Sequence, residues 1–155
     1  LRSDLERKRL AGLDPVADSQ SGIAGGLYDR ATTSAVYDHL LETAGELLRA
    51  GLNVILDASF LSASHRRLAK QTAENSGAGY VLLLTSATET ELRERLSDRM
   101  GRSTVSEADA AVLCHQLESA DPLTESEMHA AITVDTEAQI DLPELTARIQ
   151  RAAGE

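Results

Sequence analysis

Asn53-Val54-Ile55-Leu56-Asp57-Ala58-Ser59-Phe60 is an apolar run that stops on an acid. With Gly51 before it and a polar stretch from Ser62 after it, the run fits a strand buried on both faces, the kind found in parallel sheets. In open parallel sheets the ligand crevice lies past the carboxyl ends of the strands, and Asp57 falls at that rim. A carboxylate there can hold a metal through water or orient a phosphate. It can also simply cap the next helix or turn.

Working outward, residues 31–50 carry Val36, Leu40, Ala44, Leu47 and Leu48 at helical spacing, with Gly51 as the stop. Tyr28 and Tyr37 read as core or lid packing. On the other side, Ser62 or Ser64 caps a helix to Ser76 that ends at Gly77, with Leu68, Thr72 and Ala73 inward. His65, Arg66 and Arg67 fall in its first turn, where cations oppose the helix dipole unless an anion is near. Residues 79–84 read as a second strand buried on both faces, and Thr88-Glu89-Thr90-Glu91 has the spacing of a capping box.

The helix that follows carries Arg93, Arg95 and Arg99, with Arg102 past Gly101. Arg95 and Arg99 share a face and repel unless an anion sits between them, or Glu91, Glu94 and Asp98 neutralise them. A helix over 107–120 with Leu113 and Leu117 inward stops at Asp121-Pro122. Residues 131–135 form a third strand, and Asp141-Leu142-Pro143-Glu144 starts a last helix with Leu145 and Ile149 on its buried side.

Near the start, Leu1 to Asp4 read as the end of a strand, and 5–10 as a helix stopped by Gly12. One helical turn separates Asp4 from Arg7, so both side chains reach one spot, as activation of a hydroxyl beside a phosphate requires. A helix cap plus a surface arginine is the competing reading. Residues 13–29 form a long connection without periodicity, suited to the mouth of a substrate site. Gly22-Ile23-Ala24-Gly25-Gly26 is no phosphate loop, since it lacks the Lys-Ser/Thr ending and no buried strand precedes it. The alternation of strands and helices means a parallel sheet wrapped by helices in a single α/β domain over 1–155.

Composition narrows the function. The 155 residues carry a net charge of -10 and a pI near 4.8, which argues against broad nucleic-acid binding. Only Lys8 and Lys70 are lysines among 15 basic residues, so arginine dominates. That suits bidentate contact with phosphate, although a GC-rich genome produces the same bias. The single cysteine, Cys114, excludes an internal disulfide and a cysteine zinc cluster, and reads as a core-facing helix residue. No apolar run approaches a membrane span, which points to a cytoplasmic protein without membrane contact. A first residue other than Met suggests a piece of something longer.

Several stretches together resemble small P-loop kinases of the polynucleotide-kinase and zeta-toxin kind. More closely, they are similar to the ATP-binding domain of bifunctional aminoglycoside phosphotransferase/ATP-binding proteins. The stretches are 1–12, Val54 to Leu61 with Arg66-Arg67, Leu92-Arg93-Glu94-Arg95-Leu96, Ser106-Glu107-Ala108-Asp109 and Val134-Asp135-Thr136. The resemblance implies a three-layer P-loop NTPase/kinase-like sheet with helices on both faces, using ATP and Mg²⁺. It implies Asp4 as proton acceptor, Arg7 on the acceptor side, and Arg95 and Arg99 as arginines on the transferred phosphate. It further implies Ser59, Arg66 and Arg102 as substrate contacts, Asp57 near the metal, and Asp57 with Thr136 on the cofactor side. A nucleotide and a small-molecule acceptor are the implied partners, with a fused phosphotransferase-like domain upstream.

One departure matters. Members of that group begin with a strand and Gly-x-x-x-x-Gly-Lys-Ser/Thr, whose backbone N–H groups and lysine cradle phosphates, and nothing in this sequence matches it. The first strand and P-loop are therefore expected to be absent, and the 155 residues alone to bind ATP poorly and transfer no phosphate. Two other readings compete. One is a regulatory nucleotide-binding module attached to another catalytic domain. The other makes Asp57 a phosphate-accepting nucleophile of the haloacid type, which the serine at position 59 disfavours, since a second acid is expected there.

Overall fold

The computed structural model describes residues 1–14, 29–99 and 119–154, with Arg99 as backbone only. The expectations for the connection after Asp14, for Arg102, for Cys114 and for most of the helix over 107–120 lie outside them. The described elements are α1 (Ser3–Leu10), α2 (Arg30–Arg49), α3 (Ala63–Asn75), β1 (Leu83–Ser86), α4 (Glu89–Arg99), α5 (Glu125–Ala130), β2 (Ile132–Asp135) and α6 (Leu142–Ala153).

Local chemistry sets the helix limits. Asp29 caps α2 by accepting from the Thr32 N–H at 2.7 Å. At the other end Gly51 takes φ +80°, and the Leu52 and Gly51 N–H groups return to the Leu47 and Leu48 carbonyls. Gly77, at φ +69°, closes α3 with the same pair of bonds, Ala78 to Ala73 and Gly77 to Glu74. Both are Schellman endings, which favour a residue without a β-carbon.

Packing gathers on α2. Val36, Tyr37, Leu40, Leu41 and Ala44 are buried there, and Ala69 and Ala73 of α3 close over them. Each large side chain removed from water in this way contributes roughly 1.5–3 kcal/mol. The buried face of α3 is Arg66, Ala69 and Ala73, so Ala73 points inward as expected and Leu68, 39% exposed, does not. The helix is turned because Arg66 has inward-facing oxygens to bond, described below.

The sheet is parallel, as expected: β1 pairs with β2 in register from Leu83 opposite Ile132 to Ser86 opposite Asp135. Its burial is not as expected. All four residues of β1 are exposed, and Ile55, at the centre of the run 53–60, is 79% exposed. That run is extended chain with one parallel bridge, Asp57 to Arg2. An apolar sequence prepares a strand for burial, but burial needs neighbours on both faces and both edges. Here residues 55–57 pair along one edge, with residues 1–3.

A close approach joins α6 to the chain entering β1. A β-carbon at Gly79 would run into the Ala153 carbonyl, so this contact tolerates only glycine.

Candidate functional site

Two acids lie at the ends of paired neighbouring segments. The Asp57 N–H donates to the Leu1 carbonyl at 2.8 Å and the Ser3 N–H to the Asp57 carbonyl at 2.9 Å, so both segments run the same way and end together. Asp4, one residue past Ser3, opens α1 beside Asp57. A carboxylate in a first helical turn is favoured by the helix dipole. Among the described residues the Asp4 carboxylate has no hydrogen-bond partner. Asp57 accepts at Oδ2 from the Arg2 Nε at 3.0 Å in an exposed pair, and Oδ1 has no bond among the described residues.

Arg7 does not stand over Asp4 as a surface side chain. It is 7% exposed, and its Nη1 donates to the Thr33 hydroxyl of α2 at 3.3 Å. Lys8 beside it is 2% exposed. Arg7 also helps hold the Asp29 carboxyl below the usual carboxylate range, after the Thr32 N–H and hydroxyl. Two cations of α1 are thus buried, where the spacing set Arg7 over one spot with Asp4 and the competing reading left it on the surface.

The turn after Asp57 is held from two sides. Ser59 is exposed, and Phe60 takes φ +46°, a left-handed conformation that costs a side-chain-bearing residue roughly 1–2 kcal/mol. The Phe60 N–H donates to the Tyr37 hydroxyl at 3.0 Å. The Tyr37 ring lies edge-on to Phe60 and parallel to His65, with centroids 5.3 and 3.8 Å away. Burial lowers the His65 pKa, opposed by the charge of Asp38.

Arg66 corrects its expected role. It is 4% exposed and donates to the Phe60, Leu61, Asp121 and Pro122 carbonyls and to both Glu127 oxygens, at 2.7 to 3.3 Å. Five N–H groups facing six acceptors leave none for a substrate. The Arg66 guanidinium, with the backbone and hydroxyl donors of Thr124, holds the Glu127 pKa down at about 2. Glu127 also closes a capping box with Thr124 at the start of α5.

A second arginine ties the tips of β1 and β2. Arg95 of α4 donates to the Thr136 hydroxyl at 2.9 Å, the Thr136 carbonyl at 2.8 Å and Glu91 at 2.7 Å. The Thr136 hydroxyl donates on to the Ser86 carbonyl at 2.9 Å, and the Thr88 N–H donates to Glu137. Arg95 and Thr136, expected on different sides of the chemistry, are therefore in direct contact.

Reasoning along the chain missed Arg2 and Glu127, and read Tyr37 as packing, which its burial bears out, without its bond to Phe60. Only Glu127 had a local signal, the Thr124-x-x-Glu127 spacing. Among the described residues no three His, Cys, Asp or Glu side chains cluster as a metal cage. The Asp57 Oδ1 nevertheless fits Mg²⁺, which commonly takes one or two carboxylates and completes its shell with water and substrate phosphates.

No described helix is long and apolar enough to cross a membrane. The chain is 30% identical over 111 residues to the uncharacterized protein Mb2027c of Mycobacterium bovis and, equally, to the uncharacterized protein Rv2004c of Mycobacterium tuberculosis. Those 111 residues are 72% of this chain and 22% of each relative, so the chain spans about a fifth of the length of the curated relatives it matches. No solved structure matches. The family model described as AAA domain matches residues 1–123, so the chain belongs to that family and is a P-loop kinase-like, nucleotide-binding domain of α/β fold.

Proposed function

We propose that this domain takes part in ATP-dependent phosphoryl transfer to a hydroxyl of a small molecule or nucleotide. In this reading the acceptor hydroxyl binds at the paired tips of 1–4 and 57–59. The Asp4 carboxylate accepts its proton as the oxygen turns nucleophile, and Asp57 faces Mg²⁺ through its Oδ1. Arg7 supplies positive charge from the α1–α2 interface, and Ser59 is the exposed hydroxyl beside the acceptor. Arg95 acts on the nucleotide side by fixing Thr136 at the end of β2. Mg-ATP, when bound, supplies the phosphoryl group and an ADP leaving group, and the protein contributes positioning and charge.

The observation that carries the reading is the parallel pairing of Arg2 with Asp57, which brings two acids to adjacent tips. One of them has no partner among the described residues. No Gly-x-x-x-x-Gly-Lys-Ser/Thr stands in the 155 residues, so the cradle for the β- and γ-phosphates would have to come from residues outside them. The three-layer sheet of complete P-loop kinases and a cytoplasmic location belong to the same proposal.

A second reading, a regulatory nucleotide-binding module, draws on the bonding of Arg66 and Arg95. Both turn their guanidinium groups to oxygens of the fold itself. Asp4→Ala in the full-length protein separates the two. The kinase reading expects transfer of the γ-phosphate to fall by about 10²–10⁴ with ATP binding retained. Unchanged turnover removes Asp4 from the chemistry and favours the module.

A further inference from the structure

We infer that Tyr37 and Arg66 are positioning residues that set the direction of the 57–59 tip by holding Phe60 in its left-handed conformation. The inference rests on the kinase reading only for its link to turnover. A residue with φ +46° and a bulky side chain persists where its surroundings over-determine it, and such residues cluster at working sites.

Here each polar backbone group of Phe60 has its own holder. The N–H is taken by the Tyr37 hydroxyl of α2 and the carbonyl by the Arg66 Nη1 of α3. The next carbonyl, that of Leu61, accepts from the Arg66 Nη1 and from the Asp121 N–H. The Tyr37 ring is itself fixed by His65 stacked parallel to it, with centroids 3.8 Å apart. Tyr37 is 4% and Arg66 is 4% exposed, so neither holder competes with water. The tip carrying Asp57 and Ser59 is thereby anchored at both ends. Backbone pairing with residues 1–3 fixes its start, and the two side chains fix its exit. Release of Phe60 to the ordinary β region, a flip to negative φ, would rotate the peptide that follows Ser59 and swing the tip.

Tyr37→Phe in the full-length protein deletes one oxygen and leaves both ring contacts. The expected result is faster amide hydrogen exchange at 58–61 by about tenfold, the loss of one hydrogen bond to a strained amide, with protection in α2 and α3 retained. The kcat for phosphoryl transfer should fall by about tenfold while the acceptor KM changes little, as a misplaced but still bound reactant predicts. Adding Phe60→Gly should restore part of that turnover, because glycine adopts this φ without a side-chain penalty. Should Tyr37→Phe not fold, the Tyr37→Phe/Phe60→Gly double variant, freed of the side-chain penalty, carries the test and should show the faster exchange at 58–61 that loss of the Tyr37 hydroxyl predicts.

Unchanged exchange at 58–61 overturns the inference. Loss of protection spread evenly over α2 and α3, or an unchanged kcat, does so too, since either marks a merely structural contact. A wild-type protein that transfers no phosphate to any hydroxyl sinks the kinase reading instead, and the exchange pattern then decides this inference alone.

Discussion

Two arginines clasp two tips of this domain, and they do so in opposite settings. Arg66 is 4% exposed against a Glu127 side chain that is 22% exposed. Arg95 is 37% exposed and its partner Glu91 34%. The first clasp joins α3, the turn after Asp57 and the chain entering α5, and every donor is spent inside the protein. The second joins α4 to the ends of β1 and β2, where water reaches the group. A guanidinium out of water is costly unless every donor is matched, so the Arg66 site tolerates no substitute. A half-exposed one gives up its partners at little cost, which suits a tip that has to receive a ligand.

The comparison can be broken by substitution, and the largest effect is expected at Arg66. Arg66→Ala leaves Glu127 Oε1 and the Phe60, Asp121 and Pro122 carbonyls without their donor, and should lower unfolding stability by about 3–5 kcal/mol in urea titration. A loss below about 1 kcal/mol would reduce the clasp to surface decoration, like an exposed ion pair.

Acid should report the same pair. Glu127 has a folded pKa of about 2 against an ordinary 4.5, so its stabilisation is fully present above pH 4.5 and is lost as pH falls through 2. The amount is on the order of 3 kcal/mol at about 1.4 kcal/mol per pKa unit. Glu127→Gln should flatten this part of the stability–pH curve. A mutant curve that keeps the wild-type slope between pH 4.5 and 2 would assign the effect to other carboxylates.

The smallest effect belongs to the second clasp. Thr136→Val removes the hydroxyl that accepts from Arg95 and donates to the Ser86 carbonyl. Because water replaces these bonds, the cost should be about 1 kcal/mol by thermal melting, with the Arg95 bond to the Thr136 carbonyl retained. A loss as large as that of Arg66→Ala would erase the contrast between the two tips.

Part of the site was legible along the chain. Asp57 closing an apolar run and Asp4 opening a helix both follow from short-range pattern, and the structure sets them on adjacent tips through bonds between 1–3 and 55–57. Arg66 was misread because the relevant fact, Glu127, lies 61 residues away and leaves no periodic trace. Arg95 was read from like-charge crowding with Arg99 or neutralisation by Glu91; the Glu91 bond is there, but Thr136, 41 residues on, was beyond that reading. The burial of 53–56 was misread for a different reason. Hydrophobicity states what a segment can bury, whereas the neighbours decide what it does bury, and Ile55 lies open.

By itself the sequence determined the long helices after Asp29, Ser62 and Asp141, the parallel pairing that ends at Asp135, the glycine stops at Gly51 and Gly77, and the acids at two segment ends. These depend on side-chain spacing and backbone freedom within a few residues. It determined neither the helix Glu125–Ala130 nor the loss of strand structure over 53–60. Only the tertiary structure decided that Arg66 and Arg95 bind the fold, that Phe60 is held left-handed by a tyrosine from another helix, and that Arg7 is buried. Such pairings are long-range: they exist only once distant segments have docked and a buried donor must find whichever acceptor is there.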